Sequence, residues 1–490
     1  MFERIKNAFA NKMRSFLRIY PANANDFTIN ELLDFDSNVA VNKIWFRGES
    51  YELGQLYEQL NDNQHSFWGS ASTAGIEIRK IHTGLPKTII NTLVGVVCDD
   101  MQEVSFGSEA HNSLWKEIAK ENVFENLVKD AVKKALYTGD GAFKISLDTD
   151  ISQFPIIEFY EADRIQVVRK RGRIVEIVFK TVYTVKEQTY YLYERYGKGY
   201  INYELKKDGK EVPVDIVDMF AGLQNVTWDG DFMLADYVSF YGSDKFEGRG
   251  QSIFDAKRDN YDALDEAWSQ WIDALRAGRT KTYIPENLIP RNSKTGELIK
   301  PNAFDNRFIK LASAQSEVDN GKVDTTSAII QHESYLATYI TALDLCLQGL
   351  ISPSTLGIDV KKLDNAEAQR EKEKATLYTR QTLVGELQRV LPALIKNVFY
   401  AYQTLNKIPL EEVECDVVFG EYANPSFESQ VETVGKAKTQ GIMSIEASID
   451  ELYGDSRDEE WKKEEVARLK AEQGIVDMEE PAVNLDLGGN

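Results

Sequence analysis

The stretch "LQGLISPSTLGID", residues Leu347–Asp359, interrupts two long helical patterns. An apolar stripe of Leu336, Ile340, Leu343, Leu347 and Leu350 runs into Ser352-Pro353-Ser354, where proline removes a backbone donor and stops the helix. A longer pattern begins near Asp364 and continues to Leu405. A connection that only reverses the chain is short, polar and rich in turn residues. This one is longer and carries Leu356 and Ile358. The reading therefore rests on what the flanking helices are and what the loop between them touches.

Upstream, a helix is expected over about Ser327–Leu350, with Ser334, Thr338, Thr341 and Gln348 opposite its apolar stripe. Before it, residues 280–327 form a compact insert broken by Pro285, Pro290 and Pro301, with a hairpin tip at Ser293-Lys294-Thr295-Gly296. A further helix is expected over Ser252–Ala277, about 39 Å long at 1.5 Å per residue. Tyr261, Leu264, Trp268, Trp271 and Leu275 line one side of it. Asp255, Asp259, Asp262, Glu266 and Asp273 line the other, about 180° away. The acidic stripe reads either as an ordinary solvated face or as a surface that repels anions. Downstream, Asp364–Leu405 is charged in its first half and broadly apolar in its second, and Pro392 is expected to kink it.

Around this helical frame the period changes. Residues 51–150 read mainly as helices, closed by Gly139-Asp140-Gly141. From Ile156 to about Val226 the chain alternates in the manner of strands, with turns at Arg171-Gly172, Gly197-Lys198-Gly199 and Asp208-Gly209. The result is a β-meander and an α+β fold class. "EEVECDVVFGE" (Glu411–Glu421) reads as one strand returning to that meander, residues 425–475 as three short helices, and 476–490 as a disordered tail.

The totals exclude several classes of function. Lys and Arg number 57 against 78 Asp and Glu, a formal charge of −21, which argues against a protein that coats nucleic acid by neutralising phosphates. No apolar run is long enough to span a membrane. The first twenty residues place Phe2, Ile5, Phe9, Met13 and Phe16 on one helical face among basic residues, which suits docking on protein or lying on a membrane surface. Cys98, Cys346 and Cys415 show no paired spacing and read as reduced thiols. Catalytic signatures are missing: Gly321-Lys322 is followed by Val323, not Ser or Thr, and His65, His82, His111 and His332 are not at ligand spacing. Asp148 and Asp150 lack the other ligands of a calcium loop, and Gly248-Arg249-Gly250 is a weak phosphate cradle better read as a turn. No enzyme, metal or cofactor is expected.

The order of these segments resembles the portal proteins of tailed double-stranded-DNA bacteriophages, in the branch infecting Gram-positive hosts. The resemblance covers about residues 50–475. It is carried by "SFWG" (Ser66–Gly69), "EIRKIHTGLPKTIINTLVGVV" (Glu77–Val97), "ALYTGDGAFKI" (Ala135–Ile145), "GRGQSIFDAKRDNYDALDEAWS" (Gly248–Ser269) and "GIMSIEASIDELYGDSRDEEWKKEEVARLKAE" (Gly441–Glu472).

It implies a dodecameric ring at one capsid vertex, through which DNA is packaged and ejected. A wing would comprise 1–250 and 366–424, stem helices 251–279 and 328–351, a clip 280–327, a tunnel loop 352–365 and a crown 425–475. The partners implied are other copies of the chain, DNA in transit, the terminase large subunit, a head-tail adaptor, and the major capsid and scaffolding proteins. ATP hydrolysis would belong to the terminase. The chain would be located in the virion, and in the host cytoplasm during assembly.

On that resemblance Asp255, Asp259, Asp262, Glu266 and Asp273 would line the channel. Ser352, Ser354, Thr355, Leu356, Ile358, Lys361 and Lys362 would form the loop, projecting towards DNA. Trp268, Trp271, Leu336, Ile340 and Leu343 would pack subunits, and Arg291, Lys294 and Lys300 would meet clip partners. The rival readings are a cytosolic enzyme with an unrecognised site and a helical scaffold without a channel.

Overall fold

The computed structural model describes residues 33–60, 66–70, 78–217, 220, 222–279, 281–285, 291–297, 308–311, 324–326, 330–358, 366–420, 427–453 and 459–472. The chain divides into two compact units, Met1–Phe419 and Gly420–Asn490. The amphipathic start of the chain and the tail after 475 lie outside the described residues.

In the first unit, helices α1 (Phe35–Arg47), α2 (Ser50–Gln59), α3 (Leu85–Cys98), α4 (Glu109–Glu121) and α5 (Phe124–Thr138) surround a short sheet. Gly139, at φ +106°, ends α5 and turns the chain directly into strand β2 (Asp140–Ser146). Six of the seven β2 residues are buried. β2 lies between β3 (Ile156–Glu161) and β10 (Ala235–Ser239), antiparallel to both. Its one buried cation, Lys144, reaches Glu194 at 2.6 Å among the rings of Tyr160, Phe179 and Tyr196, so the charge is both paired and faced by π-clouds.

The meander follows as β4 (Ile165–Lys170), β5 (Arg173–Val185), β6 (Gln188–Gly197), β7 (Tyr200–Lys207) and β8 (Lys210–Val212), with β9 (Val226–Thr227) on β7. The turns at Arg171-Gly172 and Asp208-Gly209 have positive φ at both central residues, which matches the twist of a tight hairpin. Lys186-Glu187 makes a further such turn without glycine. Two expectations are corrected. Ile156–Glu161 belongs to the β2 sheet rather than the meander, and the late strand, β14 (Cys415–Asp416), pairs with β1 (Ser105–Phe106) rather than returning to the meander.

Helix α8 (Ala366–Leu405) runs forty residues and continues through Pro392. Leu383, Leu387, Leu391, Leu394 and Val398, spaced by three or four, are all buried in the main core with α3, α5 and β2. This one helix closes the core that the first 240 residues leave open. Two further α-helices among the described residues of the first unit are α6 (Arg258–Ala277) and α7 (His332–Leu347). Between them β11 (Lys281–Pro285) is flanked by β12 (Phe308–Leu311), parallel, and β13 (Asp324–Thr326), antiparallel. The second unit holds α9 (Phe427–Thr439), α10 (Ile445–Tyr453) and α11 (Glu459–Glu472). Within it, Tyr453 packs edge-on against Trp461, and Lys470 pairs with Glu446 at 2.8 Å.

Candidate functional site

Helix α6 starts six residues later than its pattern suggests, and the cause is local. The Ser252 hydroxyl accepts from the Phe254 amide and the Asp255 carboxylate accepts from the Ser252 amide, so side chains compete with the first helical turn. Asp255 also holds Asn38 and Asn42 of α1, and pairs with Arg258 at 2.7 Å. It is a structural joint and not part of a helical face.

The approach to α6 is clasped to the β2 sheet. The Asp140 carboxylate, fully buried, accepts from Arg249 Nε (2.9 Å), Arg249 Nη2 (2.8 Å), the Gly250 amide (2.7 Å) and the Tyr237 hydroxyl (2.8 Å). Gly139 and Gly250 face each other so closely that a Cβ on Gly250 would lie 2.2 Å from the Gly139 carbonyl oxygen. The Gly-Asp-Gly and Gly-Arg-Gly motifs thus meet in one contact, which explains Gly139 and Gly250 without a phosphate.

Counting about 100° per residue, α6 presents three arcs. Trp268 and Trp271 face α7, with ring centroids 5.6 and 6.3 Å from Tyr339. A second arc is covered by residues 66–70 and 78–84. There the Asp262 carboxylate accepts from the Phe67 amide at 2.7 Å and the Trp68 amide at 3.1 Å. Asp265, completely buried, accepts from Trp68 Nε1, the Thr83 amide and the Thr83 hydroxyl, and lies 2.6 Å from His82 Nδ1. Burial raises the Asp262 carboxyl to about 6, against the lowering effect of its two amides. Asp259, Glu266 and Asp273 occupy the third arc: Asp259 is exposed and the other two are half-exposed.

The expected five-residue acidic wall is therefore corrected. Asp255 and Asp262 serve contacts inside the subunit, while Asp259, Glu266 and Asp273 are open to solvent.

Helix α7 is held at its C-terminal end. Lys257 Nζ donates to the carbonyls of Leu345 and Gln348, both at 2.8 Å, placing a cation on the negative end of the helix. Gly349, at φ +75°, lets the chain leave. The loop that follows is tied to α8: the Ser352 amide donates to Thr376 Oγ1 at 2.8 Å, Thr379 Oγ1 donates to the Leu350 carbonyl at 2.6 Å, and Thr355 Oγ1 lies 3.0 Å from Thr376 Oγ1. Leu356 and Ile358 pack on the main core.

The expectation that the loop projects from Ser352 onward is corrected. Residues 352–358 form an anchored turn, because two hydroxyls of α8 pair backbone groups beyond the end of α7. Lys361 and Lys362 lie outside the described residues.

Residues 74–475 match the family described as phage portal protein, SPP1 Gp6-like. The chain belongs to that family. Among solved structures, it is similar to a chain from the neck of a native GTA particle computed with C12 symmetry: 12% identity, TM-score 0.39, covering 75% of this chain and 90% of that one. A chain from the neck of an empty GTA particle computed with C6 symmetry gives 12%, 0.37, 74% and 88%. No curated protein sequence matches significantly.

The portal protein carries its other singled-out residues as follows. Ile340 is half-buried, Leu343 is buried and Leu336 is 44% exposed. Arg291 and Lys294 are exposed on a turn closed by the Asn292 and Glu297 backbones, and Lys300 lies outside the described residues. Among the described residues no group of three or more His, Cys, Asp or Glu gathers as a metal site, and no helix is long and apolar enough to cross a membrane. Asp148 instead accepts from the Asp150 amide in a local turn. Sequence reasoning missed the His82–Asp265–Trp68 node. Its only signal is a carboxylate one position off the acidic stripe.

Proposed function

We propose that this portal protein acts as a closed, dodecameric ring at one capsid vertex, the passage for double-stranded DNA during packaging and ejection. The observation that supports it best is the surface of α7. Over its first two turns nearly every residue is exposed, and Leu336 and Leu345 are 44% and 46% exposed. Leu275 on α6 adds another 44%. Leucines left half in water by their own subunit call for a neighbour, and identical neighbours related by a closing rotation supply one to every copy.

In that ring α6 and α7 form the stem, residues 280–327 the clip, 352–365 the tunnel loop, and 425–475 the crown. Asp259, Glu266 and Asp273 line the channel; carboxylates there repel phosphates, so DNA slides without being held. The anchored turn 352–358 is the root of the loop, and Lys361 and Lys362 on its distal half make passing contacts with phosphate. Arg291, Lys294 and Lys300 face the terminase large subunit during packaging and the head-tail adaptor afterwards. The wing meets major capsid and scaffolding proteins. The ring assembles in the host cytoplasm and remains in the virion.

Negative-stain microscopy and mass photometry of the purified chain test this directly. Rings with a central hole are expected. A uniform species at the 55.7 kDa of one chain, at micromolar concentration and moderate salt, overturns the reading.

A further inference from the structure

A cavity of about 460 Å³ opens between the β10 region and the second half of α8. Ile174, Ile177 and Met233 make one wall apolar, and Phe232 and Tyr400, with ring centroids 5.1 Å apart, make another aromatic. Asp236 enters from β10, and one of its oxygens accepts from Asn397 Nδ2 of α8 at 2.9 Å. Three cations also line the cavity: Lys198, Arg389 and Lys396. Each has a carboxylate of its own: Lys198 is 3.0 Å from Asp231, Arg389 is paired with Glu386, and Lys396 is 2.6 Å from Glu412. Asp236 is left with one neutral donor, while an ionised carboxylate offers about four acceptor positions. Burial raises its carboxyl to about 6, against the lowering effects of the Asn397 hydrogen bond and the Arg389 charge.

We propose that this cavity is a binding site for an ammonium or guanidinium group on an aliphatic stem, with Asp236 as its counter-ion. The cation replaces the water that Asp236 has partly lost. The stem lies on Ile174 and Ile177, and the Phe232 and Tyr400 rings border the charge. An anion is disfavoured because each cation on the rim is already neutralised. The ligand chemistry is shared by a free alkylamine and by a lysine or arginine side chain of a partner chain. The cavity lies within one chain and does not depend on ring formation.

The test is calorimetric titration of the full chain with n-butylammonium at pH 8, with n-butanol as the neutral control. Wild type is expected to bind n-butylammonium, and Asp236→Asn to bind it about tenfold or more weakly. The alcohol should not distinguish the two chains. The substitution is isosteric and removes a partly desolvated charge, so thermal melting should be unchanged or raised.

Lowering the pH to 5 protonates Asp236 and should weaken wild-type binding towards that of the variant. Arg389 and Lys396, each raised by its hydrogen-bonded glutamate, stay charged over that range. Nα-acetyl-lysine methylamide separates the two sources: binding at least as strong as n-butylammonium indicates a partner's side chain, and its exclusion indicates a free amine. Equal affinity of wild type and Asp236→Asn for n-butylammonium, or no binding of either ammonium compound by wild type, overturns the proposal.

Discussion

Helices α5 and α7 are nearly equal in length, fifteen and sixteen residues, yet their surroundings differ sharply. α5 carries five charged residues and still buries eight side chains, among them Phe124, Val128, Val132 and Leu136. α7, the more apolar in composition, buries four, and all of them, Ala342, Leu343, Cys346 and Leu347, lie in its second half. Burial follows apolar content when a helix's partners belong to its own chain. In α7 the first half, residues 332–339, is largely exposed, and the buried side chains all lie beyond it. The same contrast holds between the core around β2 and the pair α6–α7: Asp140–Arg249 and Lys257 fasten the pair at one end, and residues 270–277 and 332–338 at the other end are half-exposed or exposed.

The largest effect that sharpens this comparison should come from the closed side. Asp140→Ala leaves Arg249 buried without its carboxylate, and a loss of about 3–5 kcal/mol is expected in chemical denaturation. A loss under about 1 kcal/mol would mean the clasp does not hold α6 to the sheet.

Next is Asp265→Ala, which strips acceptors from Trp68, Thr83 and His82 at once. About 2–4 kcal/mol is expected, with faster hydrogen exchange in residues 66–70 and 80–83. If exchange there is unchanged, the covering segment is held by other contacts.

A pH effect of about 1–2 kcal/mol follows from Asp262. Its carboxyl is raised from 3.8 to about 6, so its favourable contribution is complete below pH 3.8 and is lost as the pH rises through 6. Thermal melts from pH 4 to 7 should therefore show Asp262→Asn gaining stability relative to wild type as the pH rises, and a difference that does not change with pH would place Asp262 in water.

The smallest effect on the subunit itself should come from the open side. Leu336→Ser and Leu345→Ser should change subunit stability by about 0.5 kcal/mol or less, because both side chains are already half in water. Their effect should appear instead as a shift from assembled to single chains in mass photometry. If either costs as much as Val128→Ser in α5, the contrast between the two helices fails.

Much of the fold was legible from local pattern. The tight turns at Arg171-Gly172 and Asp208-Gly209 announce themselves because glycine takes positive φ at little cost. Lys186-Glu187 makes the same turn with residues that carry no such signal. The extent of α8 was legible because its apolar spacing persists over many turns, whereas the start of α6 was not, since the hydroxyl of Ser252 and the carboxylate of Asp255 intercept the first turn. In the candidate site, helical period gave the angular positions of the five acidic residues but not which arc another segment covers. Asp259 and Asp262 are three residues apart, yet one faces solvent and the other holds two amides from a segment nearly two hundred residues away.

By itself, then, the sequence determined the order of helices and strands, the alternation that makes the meander and the texture of a phage portal protein. Those depend on propensity and periodicity, which act over a few residues. Only the tertiary structure decided that Ile156–Glu161 changes sheets, that two glycine motifs are one contact, that Leu356 and Ile358 are anchored, and that Asp265 is buried against His82. Each of these depends on long-range partners, and a carboxylate or a leucine carries the same local signal whether its partner is water, an amide or a neighbouring chain.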